Sequence, residues 1–345
     1  MKKLLVIGGG GFIGINSALR YLDKGYEVSI LDNFSRKGSR DNISWLKKHK
    51  KSASLKIIEA DIRINDQKLK KAALESDLIL HFAAQVAVTT SVINPREDFE
   101  INALGTFNVL EAVRKSGNSP ILIYASTNKV YGELEDVRIV EEKTRYSFKG
   151  LKFGIPESRN LDFHSPYGCS KGAADQYVRD YHRIYNLNTV VFRQSCIYGP
   201  HQFGIEDQGW VAWFIIALVL GKKITIYGNG KQVRDVLYID DLLDAYDLAI
   251  ENIKNTRGKA YNIGGGILNT ISVWHEFKPI LENLFQKKIN VESSEWRPGD
   301  QPIFISDTRL AKKDFGWEPK IGVKEGIKML YDWVHENKAV LAKYF

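Results

Sequence analysis

Seven residues near the N-terminus, GGGGFIG at 8–14, constrain the fold more than any other stretch. They fall between the apolar run Leu4 to Ile7 and a segment of helical character reaching about Lys24. A strand that ends in glycines and opens at once into a helix makes a tight turn. That turn leaves the helix's first amides and the positive end of its dipole facing a ligand, which suits a pyrophosphate. Gly8, Gly11 and Gly14, with Phe12 and Ile13 between them, are therefore candidate cofactor contacts. The next strand-like run, EVSILD, ends in Asp32. A carboxylate there accepts hydrogen bonds from ribose hydroxyls and repels a 2′-phosphate, which favours NAD over NADP. Arg36 and Lys37 lie just beyond and could receive a 2′-phosphate. Asp61 and Ile62, after a third run, could frame an adenine or simply end a strand.

The pattern set by the first unit continues. LKIIEAD, LILHFAA, PILIYAS and NTVVFRQS read as further strands, with a helix from about Pro95 to Ser116 and another beginning near Pro166. Apolar strands separated by helices imply a parallel sheet covered on both faces. The expected architecture is α/β: a Rossmann-type doubly wound parallel sheet over residues 1–195, with a segment returning near 235–262. From 196 to 345 the pattern is less regular and predicts a smaller C-terminal α/β lobe.

Composition narrows the function classes. The chain has 345 residues, 44% hydrophobic and 26% charged, with a net charge of +8. Its basic clusters are short, as in KKHKK at 47–51, and acids are interspersed, so nucleic-acid binding is not expected. A basic protein does suit an anionic diphosphate substrate. Two cysteines, Cys169 and Cys196, make neither a disulfide framework nor a metal-ligand spacing, so no metal is expected and a reduced cytoplasmic setting is the default. The run before the glycines is too short for a signal peptide, and WVAWFIIALVLG at 210–221 is too short to span a bilayer. It reads as a buried helix, and no membrane partner is expected.

The candidate chemistry lies in YGCSK. Tyr167 and Lys171 are four apart and share one helix face. Ser165 is a candidate N-cap, and Pro166 suits the first turn. A phenol with a pKa of about 10 is a poor base at neutral pH, but a lysine ammonium and a positive nicotinamide beside it favour the phenolate. The tyrosine could then take a hydroxyl proton while hydride leaves the same carbon for NAD. Alone, this spacing also fits two residues on a solvated face. Ser126 and Thr127 end the fifth strand, where ligands bind in such sheets, and Thr127 is the better candidate to touch the reacting oxygen.

GGGGFIG, Asp32, HFAAQ, STNKVYG and YGCSK occur in this order, followed by GNGKQVRDVLYIDD at 228–241 and RPGDQ at 297–301. Together they resemble the extended short-chain dehydrogenase/reductase family of nucleotide-sugar enzymes over about Lys3 to Trp333. Ile7 stands where that family usually has Thr. The resemblance implies NAD as cofactor, with Asn33, Ala83, Ala84, Gln85 and Asn102 added to its contacts. It also implies a nucleotide-diphosphate sugar, gripped by Arg234 and Arg297 and approached by Asn128, Gln194 and Asp300. Three reactions run on this scaffold. Its dehydratases carry Asp and Glu directly after the threonine and its decarboxylases a Glu two after it, whereas this chain has Asn128 and Lys129. Epimerisation needs no such acids. Wider strings, including DNFSRKGSRDNISWL and LDFHSPYGCSKGAADQY, resemble the branch that inverts C2 of a CDP-linked 3,6-dideoxyhexose; a UDP-hexose 4-epimerase is the alternative. That branch implies a homo-oligomer, a tetramer or else a dimer, in O-antigen sugar synthesis. His164 is either a second proton carrier or a loop histidine bonded to backbone. A non-catalytic NAD sensor or scaffold of this family would be expected to lack Tyr167 or Lys171, and both are present.

Overall fold

Parallel pairing begins at once. The strands β1 (Lys3–Ile7), β2 (Glu27–Asp32), β3 (Leu55–Glu59), β4 (Leu78–His81) and β5 (Ile121–Thr127) alternate with helices, and in the computed structural model, which describes residues 1–64, 67–297 and 300–345, they join one sheet. With strands Asn188–Gln194 and Ala260–Ile263 its order is 260–263, 188–194, β5, β4, β1, β2, β3. β1 pairs in parallel with β2 on one side and β4 on the other, so Ile7 faces both Leu31 and His81 in register. The strand order reverses at β1. Crevices for ligands open beyond the carboxyl ends of strands at such a point, and the glycines follow β1 directly.

The first compact unit comprises residues 1–127, 165–193 and 243–261. Its core packs Leu5, Ile79, Leu122 and Val191 of the sheet against Val109, Val113, Ala174 and Val178 of two helices. Helix Ser165–Tyr185 buries Tyr167, Lys171, Ala174, Asp175 and Val178, a stripe at helical spacing. The other helix corrects a simple expectation. It is α-helical over Pro95–Phe99 and Gly105–Ser116, but takes a π turn over Glu100–Leu104. Such turns re-aim side chains inside a helix and recur at functional sites.

The second unit comprises residues 128–164, 194–242 and 262–345. It therefore takes more of the chain than the sequence pattern assigns to it, including 128–164 and 235–242. Its strand Val233–Tyr238 pairs with Cys196–Tyr198, Thr270–Ser272 and Ile303–Phe304. Residues 139–148 form a short hairpin. Helix Trp210–Val219 is buried, which is why that stretch is so apolar. Among the described residues, no helix is long and apolar enough to cross a membrane.

Candidate functional site

The glycine turn is built for close approach. Gly8 has φ +82°, and a Cβ there would lie 2.5 Å from the amide nitrogen of Ala83, which donates to Ile7 O at 3.0 Å. Gly9 is pressed on Ile30, and a Cβ on Gly14 would strike the backbone of Gly8 and Gly9. These glycines let β1, β4 and the first helix meet. Gly11 differs. It caps helix Phe12–Asp23 in extended geometry, and a Cβ there meets no protein atom closer than 3.4 Å. The fold does not demand glycine at 11, and its absence of a side chain leaves the helix start open to close approach by a ligand. This cradle fits a dinucleotide pyrophosphate.

Asp32 stands beside it. Its Oδ2 accepts the Gly10 amide at 2.9 Å and its Oδ1 the Phe34 amide at 2.7 Å. Burial raises its pKa, and those amides oppose the shift. Arg36 acts electrostatically on Asp32 and on Tyr167. Asn33 donates to Asp61 at 3.0 Å, and Asp61 is also paired with Arg63 at 2.7 Å. Burial alone would raise the Asp61 carboxyl, but Arg63 and Asn33 outweigh it and bring it to about 2. The Ile62 side chain is buried against Gly105, and its carbonyl accepts from Asn108 Nδ2 at 2.9 Å. Gln85 turns its own side chain onto Ala87, while its backbone is bracketed by Asn102. Asn102 is buried, with its amide committed to Gln85, Asp98 and Ser170. It supports the loop carrying Ala83, Ala84 and Gln85.

At the end of β5 successive residues point to opposite sides, as a strand dictates. Thr127 hydrogen-bonds the Tyr167 hydroxyl. The Ser126 hydroxyl donates to buried Asp175 at 2.8 Å, and Asp175 pairs with Arg193 at 2.9 Å. The helix that presents Tyr167 is firmly started. Ser165, held at φ +64°, accepts the Gly168 amide at 3.2 Å, and Ser91 accepts the Tyr167 amide at 3.1 Å. Both bonds satisfy amides that a helix start leaves open.

Lys171 holds its ammonium against the backbone of β5. Its ammonium donates to Ala125 O at 2.5 Å and lies 4.2 Å from the centroid of the Tyr124 ring. Burial lowers its pKa to about 7, while Asp175 and Asp98 pull the other way. Burial pushes Tyr167 up to about 12; Thr127 and Arg36 lower it, and Asp98 adds to the rise. The chain's own groups therefore leave a protonated phenol at neutral pH, the reverse of the shift expected from the Tyr–Lys spacing. Sequence reasoning missed Ser91, Asp98, Ser170, Asp175 and Arg193. Asp98 and Asn102, like Lys171 and Asp175, are four apart, and that spacing was the available signal.

The second unit holds the other candidates. Asn128 opens a 3-10 turn through Tyr131 and is buried, as is Gln194 at the end of its strand. Arg234 pairs with Asp300 at 2.6 Å and donates to Val233 O at 2.8 Å. Lys129 is within 3.3 Å of Gln301 Oε1. Its pKa falls to about 8, first from burial and then from Arg234, with Asp300 opposing. Arg297 pairs with Asp207 at 3.2 Å and covers the Tyr227 ring at 3.7 Å from its centroid. The Asp300 amide reaches back to Arg297 O at 3.2 Å; Pro298 and Gly299 of the RPGDQ motif lie outside the described residues. His164 lies between Glu133 and Asp162, at 3.2 and 3.4 Å, rather than on backbone. Among the described residues, no cluster of His, Cys, Asp and Glu could hold a metal ion.

A family model described as GDP-mannose 4,6 dehydratase matches residues 5–330. The chain is 46% identical to CDP-paratose 2-epimerase of Salmonella typhi, over 96% of this chain and 98% of that protein. Two solved structures are similar. UDP-glucose 4-epimerase of Thermotoga maritima with UDP-glucose superposes with a TM-score of 0.82 at 29% identity, covering 97% of this chain and 99% of that one. UDP-glucuronic acid 4-epimerase of Bacillus cereus, in complex with UDP-glucuronic acid and NAD, gives 0.81 at 26% identity with the same coverage. Agreement over nearly the whole length, in a chain whose glycine turn and Tyr167 helix have the geometry described above, means that this chain belongs to the GDP-mannose 4,6 dehydratase family of extended short-chain dehydrogenase/reductase epimerases and dehydratases.

Proposed function

We propose that this protein is a NAD-dependent epimerase of a nucleotide-linked sugar, inverting C2 to interconvert CDP-paratose and CDP-tyvelose. The observation that carries the epimerase reading is the hydrogen-bonded pair Thr127–Tyr167, followed by Asn128 and Lys129 rather than two acids. Removal of water from neighbouring ring carbons needs a carboxylic acid and a carboxylate; an amide and an ammonium do not supply them. Near-full-length identity to a CDP-paratose 2-epimerase supports C2 and the CDP sugar.

The cradle of Gly8, Gly11 and Gly14 with Asp32 would hold NAD, whose positive nicotinamide favours the phenolate and which accepts and returns one hydride. Thr127 holds the sugar hydroxyl against Tyr167, and the proton of that hydroxyl passes to the Tyr167 oxygen as the carbon becomes a ketone. The ketosugar turns over, and Tyr167 gives the proton back when hydride returns to the opposite face. Lys171 sustains positive charge beneath the helix start. Arg234 and Arg297 are assigned to the diphosphate, for which a planar fork of donors is suited.

The experiment is conversion of CDP-paratose by purified protein without added NAD, followed by NMR of the product sugar. CDP-tyvelose is expected. Inversion at C4, or no conversion, would overturn the reading. Tyr167→Phe should keep its nucleotide, seen by mass spectrometry, and lose about 10²–10⁴-fold in turnover.

The same reading places the enzyme in the cytoplasm, in O-antigen sugar synthesis, as a homo-oligomer. Support for assembly comes from one apolar face: Phe99, Phe107, Tyr177, Ile184 and Tyr185 are exposed on two neighbouring helices, and the Phe107 and Tyr177 rings meet edge to face at 5.9 Å. Exposed apolar faces of this kind mark interfaces. Light scattering should give a dimer or tetramer, and Phe107→Glu with Tyr177→Glu should give a monomer.

A further inference from the structure

A buried carboxylate lies beneath the start of the Tyr167 helix, and the proposed reaction does not use it. Asp98 is 1% exposed. Its Oδ2 accepts the Ser170 hydroxyl at 2.5 Å and its Oδ1 accepts Asn102 Nδ2 at 3.1 Å. Both oxygens accept in this arrangement; burial raises the carboxyl's pKa, while the Ser170 hydroxyl and the Lys171 ammonium work to keep it ionised. Ser170 immediately precedes Lys171 and sits three residues after Tyr167. Asn102, carried on the π turn, also brackets Gln85 in the loop after β4. One carboxylate thus ties the helix Ser165–Tyr185 to the loop of the cofactor cradle.

We propose that Asp98 is a positioning residue whose carboxylate ties the helix face carrying Tyr167 and Lys171 to the cofactor loop and places a negative charge beneath both. The proposal rests on the reading of Tyr167 as the base. A brace alone needs no charge, since neutral side chains make the same hydrogen bonds, and burying a carboxylate is costly. A charge here makes sense through what it faces. From helix Ser165–Tyr185 these are Tyr167 and Lys171, and from β5 Tyr124, while Asp175 bears on Lys171 alongside Asp98. Helix Val88–Ile93 has no ionisable side chain. On its own helix, Arg96 pairs with Glu100, and Glu97 lies 4.0 Å from Arg63. Arg36 acts on Tyr167. Asp98 therefore favours the Lys171 ammonium and disfavours the Tyr167 phenolate. Removing its charge lets both groups lose their protons at lower pH.

The test uses the full chain with its copurified nucleotide. In protein labelled with ¹³C at lysine Cε, the Lys171 signal is the one lost in Lys171→Arg. Its titration is expected about 0.5–1 pH unit lower in Asp98→Asn. Both limbs of the pH profile of kcat/KM should move in the same direction. Ser170→Ala keeps the carboxylate but removes the donor that holds it ionised, so a smaller shift of the same sign is expected. A slower Asp98→Asn enzyme whose Lys171 titration and profile stay in place would overturn the proposal and leave Asp98 as structure only. If Asp98→Asn does not fold, an unmoved titration in Ser170→Ala does the same. A wild-type protein that fails to epimerise would sink the functional reading, and the lysine titration would still decide the role of Asp98.

Discussion

Lys171 is buried in the first unit and Lys129 partly buried in the second, and only Lys129 has a cation pressing on it. Lys171, in the first unit, is lowered to about 7 by burial while Asp175 and Asp98 both work to keep it charged. Lys129, in the second, is lowered to about 8 by burial and by the added push of Arg234, with Asp300 as the leading counterweight. The first unit balances its cation with acids of its own. A cation held that way is set to steady a neighbouring group, not to attract a ligand. The second unit gathers positive charge around Asp300, Arg234 buried and Lys129 partly so, which lowers the energy of an anion arriving there. One residue type thus serves two tasks, and its neighbours decide which.

The strongest way to break this comparison is to remove an acid from the first unit. Asp175 and Arg193 are 0% and 2% exposed. Asp175→Ala leaves the Arg193 guanidinium buried without its partner, which costs about 3–5 kcal/mol. Denaturant unfolding followed by circular dichroism should report that loss, and the Lys171 titration should move to lower pH because its largest charge-retaining neighbour is gone. A loss below about 1 kcal/mol, the level of exposed ion pairs, would mean that the pair is solvated and the balance argued above does not exist.

What could be read without coordinates follows the same division. β1 to β5 and the helix from Ser165 were legible because each is a continuous apolar run or stripe bounded by turn residues. The glycine turn and Asp32 were legible because they are local, twenty-odd residues apart on one strand–helix–strand unit. Thr127 is preferred over Ser126 in sequence, but that the Ser126 hydroxyl turns to Asp175 while Thr127 meets Tyr167 depends on packing that sequence does not show. The direction of the Tyr167 shift was missed because spacing shows which residues share a face, while burial and the aim of the Lys171 ammonium toward Ala125 depend on packing. The second unit draws on three separate segments of chain. Its cluster of Lys129, Arg234 and Asp300 brings together residues far apart in sequence, so no local pattern announces it.

Lys129 gives the sharper and smaller test. Its pKa is about 8 in the folded protein and near 10.5 when unfolded. Between those values the unfolded chain holds a proton that the folded one has released, so stability rises with pH across the window. Below pH 8 the folded protein carries the cost of a charged, partly buried lysine, at most about 3 kcal/mol at 1.36 kcal/mol per unit. Lys129→Met removes that cost. The variant should be more stable than wild type at pH 7 by up to ~3 kcal/mol, and its advantage should shrink as pH rises from 8 to 10. Lys171 titrates in both proteins, so only the difference between the two stability curves reports Lys129. The same substitution should raise KM for the nucleotide sugar about 10-fold, the scale of one charged hydrogen bond, with little change in kcat. Greater stability with weaker substrate binding is what a cation retained for a ligand entails. A Lys129→Met protein that is less stable at pH 7, with KM unchanged, would show that this lysine belongs to the packing of its unit, as Lys171 belongs to the acids around it.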